Sequence, residues 1–249
     1  MKKIICFLLI SPVIFTVAKG QELSSKEIIQ KIDANERVHS SKAQMKQIIL
    51  TSSGKKRTLE MQAWTKDKND KQLMIYTAPK RVKGDKILML NDGDDIWFYT
   101  PKTDRVRHLA SHAKKQKVQG SDFAYEDMSG GEIEKDYHYK LLGEEKISDT
   151  LCYKFELIPT ESGPSYAKLI LWADKEIFVT RRIDYFESDE ILKRLHLTDI
   201  RKIDDHWTAM KMTMKNLQDG GETIMQTLEI EFDLEIEDKM FTTKNLKRR

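Results

Sequence analysis

Cysteine is almost absent from this 249-residue chain, which has only Cys6 and Cys152. Cys6 lies in an apolar N-terminal run that reads as a targeting segment, so one thiol remains and an intrachain disulfide is excluded. A fold without crosslinks must be held by its own core, and the chain is long enough to build one. Proline, with five residues, and glycine, with 11, are also scarce. No Pro/Ser-rich linker or low-complexity stretch divides the sequence, so residues 21–249 read as a single domain. Excess charge of one sign is missing too. Of the 43 Lys and Arg, three lie in residues 1–20, and the remainder matches the 40 Asp and Glu. A near-neutral chain has no domain-wide positive field, which sets nucleic acid aside as a partner.

Long hydrophobic runs are limited to one. Lys2 and Lys3 precede an apolar stretch from Ile4 to Val17, and Ala18-Lys19-Gly20 supplies small residues before Gln21. This is the pattern of a cleavable signal peptide over residues 1–20, too short to span a bilayer comfortably. No cysteine stands at the cleavage point to carry a lipid. Together with the missing disulfides, this predicts a periplasmic protein.

Catalytic equipment is equally thin. There is no Gly-rich phosphate loop, nucleophile elbow or cysteine pair. His108 and His112 are four apart, but no Glu-x-x between them completes a hydrolase motif and no third ligand is evident, so neither metal nor cofactor is expected. Cys152 sits in the strand-like run 151–158 with no base nearby, as a buried structural thiol would. The pairs Glu126-Asp127 and Glu144-Glu145 are adjacent in sequence, so their carboxylates point apart. The pattern predicts a protein that is not an enzyme.

The rest of the chain consists mostly of alternation. Ser24-Ser25-Lys26-Glu27 is a capping box, and Ile28, Ile29 and Ile32 follow at helical spacing, predicting one leading helix. Thereafter the period is two. Segments 44–50, 57–65, 72–77, 86–90 and 95–100 alternate with turn chemistry such as Asp67-Lys-Asn-Asp70 and Asn91-Asp-Gly93. Hairpins resume at residue 137 and continue to a last strand over 228–237. In that strand Leu228, Ile230, Phe232, Leu234 and Ile236 alternate with five acids, predicting one apolar and one acidic face. The reading is mainly β: about eleven antiparallel strands in one large curved sheet, open or closed as a barrel, with a leading helix and a short helical insertion.

The insertion is Gly120-Ser-Asp-Phe-Ala-Tyr-Glu-Asp-Met128, closed behind by Gly130-Gly131. Ser121 or Asp122 is expected to cap a short helix, and Phe123 and Met128 are expected to face a cavity. Segments 87–90 and 96–99 are apolar on both faces, so something must pack on each side of the sheet; the leading helix and the insertion are the available covers. Met210, Met212 and Met214 occupy one face of one strand, where flexible thioethers suit variable apolar shapes. The expected cavity lining is therefore Leu88, Leu90, Trp97, Met210, Met212 and Met214. The expected cover is Asp122, Phe123, Tyr125, Glu126, Asp127 and Met128.

At Lys83-Gly84, Asp95-Ile-Trp-Phe-Tyr-Thr-Pro101, Arg105-Val-Arg107 and above all residues 120–128, the sequence resembles the outer-membrane lipoprotein-sorting family of the LolA/LolB-like superfamily. The resemblance implies an unclosed barrel around a hydrophobic cavity lidded by helices, with no catalytic residues. It also implies a monomeric periplasmic carrier of acylated lipoprotein or lipid cargo, working toward the outer membrane with an inner-membrane transporter of the RND/MMPL type. The competing expectation on the same fold is a sensor or adaptor that binds a membrane protein partner.

Overall fold

The structure, a computed structural model, describes residues 23–248 apart from residues 130 and 162. The signal peptide expected over residues 1–20 lies outside the described residues. Helix α1 (Ser25–Glu36) starts where the capping box places it. Ser24 Oγ accepts from the Glu27 amide at 3.3 Å, and the Glu27 carboxylate accepts from the Ser24 amide at 2.8 Å. Ile28, Ile29 and Ile32 are fully buried; at about 1.5–3 kcal/mol each, they fasten α1 to the sheet.

Thirteen strands follow. They are β1 (Ser40–Leu50), β2 (Lys56–Lys66), β3 (Lys71–Ala78), β4 (Lys86–Leu90), β5 (Asp95–Thr100), β6 (Arg105–Leu109) and, after a long connection, β7 (Tyr137–Ile147). Then come β8 (Thr150–Pro159), β9 (Lys168–Asp174), β10 (Thr180–Glu187), β11 (Glu190–Ile203), β12 (His206–Asn216) and β13 (Glu222–Phe232). The count exceeds the expected eleven partly because Arg105–Leu109 forms its own short strand. The predicted turn Asn91-Asp-Gly93 is present, with Asn91 and Asp92 both at positive φ, the conformation a tight hairpin demands.

All thirteen strands lie in one antiparallel sheet, ordered β6-β5-β4-β3-β2-β1-β13-β12-β11-β10-β9-β8-β7. The chain enters mid-sheet at β1, runs outward by hairpins to β6, and starts again from the opposite edge at β7. It then returns by hairpins until β13 pairs with β1. The two free edges, β6 and β7, are therefore consecutive in sequence, and residues 110–136 bridge the gap that keeps the barrel open. Edge strand β6 carries Arg105 and Arg107, charges that discourage edge-to-edge pairing.

The concave face holds the main core, in which the α1 isoleucines meet Met61, Met74, Ile87, Phe155, Leu171, Tyr185 and Met225. One register break and one backbone irregularity correct the expected faces. Gln44 pairs with Glu229 and Met45 with Thr227, so Leu228 bulges out and is 55% exposed. The bulge reverses which β13 residues point inward, and the strand ends at Phe232 instead of running to residue 237. On β11, Asp199 takes a φ of 53°, and the ladder to β12 passes from Thr198–Lys211 to Ile200–Ala209.

A cover absent from the sequence expectation lies on the convex face. Residues 238–246, a 3₁₀ turn followed by the short helix α2 (Thr243–Leu246), place Phe241 and Leu246 against Leu73, Leu88 and Tyr99. Lys66 Nζ donates to Ile236 O and to Asp238, tying this segment down. Cys152 belongs to a third, smaller convex-face cluster with Ile170 and Trp172. Burial pushes its thiol up to about 11, the inert state expected of a structural cysteine.

Candidate functional site

The connection between the two edge strands crosses the concave face and is fixed residue by residue. Asp122 is buried; its amide donates to Thr223 Oγ1 at 2.9 Å, and that hydroxyl donates back to the carboxylate at 2.8 Å. Arg57 donates to Gly120 O at 3.0 Å. After Gly120 the expected short helix is a single 3₁₀ turn, Tyr125–Asp127. Neither Ser121 nor Asp122 caps it: Ser121 Oγ accepts from the Phe123 amide, whereas Asp127 reaches back to accept from the Ala124 amide at 2.6 Å. The cap thus comes from inside the turn, because Asp122 is already engaged by β13.

Asp127 is the principal anchor. Its fully shielded carboxylate accepts from Lys193 Nζ and, at 2.7 Å, from the Tyr166 hydroxyl. Lys193 points inward from β11 among apolar neighbours, with the Tyr166 and Tyr185 rings 5.0 and 5.2 Å from its Nζ. Burial, reinforced by Asp127, pushes both phenols far above their ordinary range. Glu126 accepts from both the amide and the hydroxyl of Ser165. Tyr125 is buried in the core. Gly93 (φ +88°) permits the close passage of the segment, since a Cβ there would stand 2.2 Å from Ser129 Cβ.

Between this plug and the sheet lies a cavity of about 460 Å³. Phe123 and Met128 line it, together with Met45, Met74, Met212 and Met225 from the strands and Asn35, Glu36, Arg37 and Val38 from the end of α1. Its strand-end rim carries Ser41, Trp207 and Phe232. Five methionines in one lining give a deformable apolar wall.

The expected lining is only partly assembled. Met212 is in the cavity wall, and Met214 is fully buried in the concave core beside it. Met210 is buried but outside the lining, because Ala209 and Met212 both face the cavity across the irregular stretch opposite Asp199. Leu88, Leu90 and Trp97 face the convex side, under Phe241 and Leu246. In the apolar run Ile87-Leu-Met-Leu90 it is Ile87 and Met89 that join the concave core. His108 lies on β6 with its ring 4.3 Å from that of Trp97 and its Nε2 3.1 Å from Asp95.

Sequence reasoning missed Lys193, Glu36 and Met45. Lys193 shares parity with Leu195 on β11, and a lysine at an inward position was the available signal. Glu36 closes α1 beside the cavity; its carboxylate accepts from Thr180 Oγ1 at 2.5 Å, and surrounding protein pushes it up to about 7. Asp33, one turn earlier, is raised for the same reason. A second, polar cavity of about 260 Å³ lies on the other side of the plug and shares Glu36, Asp127, Ser129 and Tyr185 with the first.

A family model described as an uncharacterized protein matches residues 68–248. No curated protein matches the chain. Solved structures do. A protein domain from Vibrio parahaemolyticus named for outer-membrane lipoprotein sorting is 31% identical, with a TM-score of 0.83 over 89% of this chain and 97% of that one. A DUF1329 family protein from Desulfovibrio piger is 25% identical, with the same TM-score over 88% and 96% of the two chains. A LolA superfamily protein from Nitrosomonas europaea shares the fold at 21% identity, with a TM-score of 0.75 over 90% and 100%. The motif at 120–128, the open thirteen-stranded sheet and these matches agree: the chain has the fold of the LolA superfamily protein and belongs to the outer-membrane lipoprotein-sorting family.

Proposed function

We propose that the protein is a periplasmic carrier that holds the acyl chains of lipoproteins or lipids in the cavity under the 120–131 segment and conveys them toward the outer membrane. The observation that carries this reading is the methionine-rich cavity between the plug and the concave face. Releasing an acyl chain into water costs about 0.8 kcal/mol per methylene, so transit requires a dry and adaptable enclosure. Phe123 and Met128 form the movable side of that enclosure, and Asp122 and Asp127 set its resting position. Delivery requires release, which a polar-anchored cover permits better than a continuous apolar core would. The family names of the similar structures support carriage; an inner-membrane RND/MMPL-type transporter as donor partner, and a monomeric carrier, complete the proposal.

The test is mass spectrometry of organic extracts from protein exported to the periplasm and purified without detergent. A stoichiometric acyl-bearing molecule is expected. Empty protein that instead captures a membrane protein would contradict carriage and favour an adaptor.

A further inference from the structure

Two inward-facing side chains lack a hydrogen-bond partner among the described residues. Gln47 on β1 is fully buried with neither its amide nitrogen nor its oxygen paired, and the Tyr76 hydroxyl on β3 is likewise unpaired. Buried polar groups are nearly always satisfied, and an orphaned amide is costly in an apolar core. Gln47 could have been any hydrophobic residue for packing alone.

Its position gives it a use. On β1, Ser41 and Met45 line the cavity, and Gln47 is the next residue on the same face. Its register partner on β13 is Met225, which also lines the cavity, and its partner on β2 is the buried Leu59. From Ser41 at the rim to Gln47 is six residues, about 20 Å, comparable to an extended sixteen-carbon chain. Gln47 itself stands just beyond the lining, next to Met45 and Met225, which are in it and have flexible side chains.

Resting on the carrier reading, we infer that Gln47 is a polar subsite at the closed end of the cavity. It takes an uncharged oxygen function, a hydroxyl or carbonyl, at the leading end of an inserted acyl chain. The amide then gains donor and acceptor contacts, and a chain ending in a plain methyl group gains nothing there. Gln47 would thereby offset the cost of burying that oxygen and admit chains that a wholly apolar end would reject.

The experiment compares two probes, hexadecanoate and ω-hydroxyhexadecanoate, as competitors of a fluorescent acyl ligand, on the full chain and on Gln47→Met. Methionine is close to glutamine in volume and removes the orphaned groups, so this variant should fold and show a higher Tm. In the unmodified protein the two probes should compete comparably; in Gln47→Met the hydroxylated probe should weaken about tenfold relative to hexadecanoate, because its hydroxyl is then buried unpaired. The same ratio in both proteins would overturn the subsite and leave the carrier reading standing, with Gln47 served by water alone. Failure of both probes to compete with the unmodified protein would defeat the carrier reading and the subsite together. Gln47→Leu repeats the comparison should the methionine variant fold poorly.

Discussion

The ion pair between Asp127 and Lys193 is the contact whose removal should matter most. Their side chains are 0% and 6% exposed, and Asp127 also satisfies Tyr166 and the Ala124 amide. Asp127→Ala strands a lysine in an apolar wall, and breaking a buried pair from one side costs about 3–5 kcal/mol. For a domain of this size that corresponds to a Tm lowered by about 6–20 °C. Replacing both partners, Asp127→Leu with Lys193→Met, removes the uncompensated charge and should recover most of the loss, since buried pairs are often replaceable by apolar residues of similar volume. Chemical denaturation of the wild type, both single variants and the double variant would give the coupling energy directly. The single variant should also bind more of an apolar reporter dye, because the plug loses its anchor while the sheet stays intact. A loss below about 1 kcal/mol for Asp127→Ala, or a double variant as damaged as the two singles combined, would refute the anchoring role.

Three further outcomes are expected. Phe123→Asp places a charge in the cavity wall and should abolish displacement of a fluorescent acyl probe while far-UV circular dichroism stays unchanged; unaltered displacement would remove Phe123 from the site. Glu36 has a folded value of about 7 against 4.5 for a free side chain, so its unfolded form releases the proton first. Stability should therefore fall as pH rises from about 4.5 to about 7 and then level off, and Glu36→Gln should raise Tm at pH 8 but not at pH 4. Phe241→Ala should cost about 3–5 kcal/mol in a denaturation experiment, because Phe241 is only 4% exposed under the convex sheet face, and an effect near zero would mean that the C-terminal segment does not cover that face.

Local chemistry made the hairpins and α1 legible: the Ser24 capping box and the Asn91-Asp-Gly93 turn carry their own geometry. Which face of each strand is concave was not legible where both faces are apolar. Leu88 and Met89 are both fully buried, so their parity carries no sign, and Leu88 was assigned to the cavity when Met89 occupies the concave side. Where polar residues alternate, as around Met212, parity does carry a sign, and Met212 stands in the cavity wall. Leu228 leaves the inner face because a bulge reverses the parity along β13, and Met210 stands outside the lining opposite Asp199, where the ladder pairing is interrupted. Long-range pairing was also out of reach. Nothing local in β1 and β13 announces that they meet, and that pairing is what turns residues 110–136 into a bridge between two free edges. The anchoring partners of the 120–128 segment, Thr223, Lys193, Tyr166 and Ser165, lie 39 to 101 residues away, beyond any motif.

The most direct test of carriage is photo-crosslinking with a diazirine placed along a fatty acyl chain, followed by peptide mapping. Adducts should concentrate on Met45, Phe123, Met128, Met212 and Met225. Adducts on the convex cluster around Leu88 and Trp97, or none above the level seen with denatured protein, would contradict an acyl chain held between the plug and the sheet.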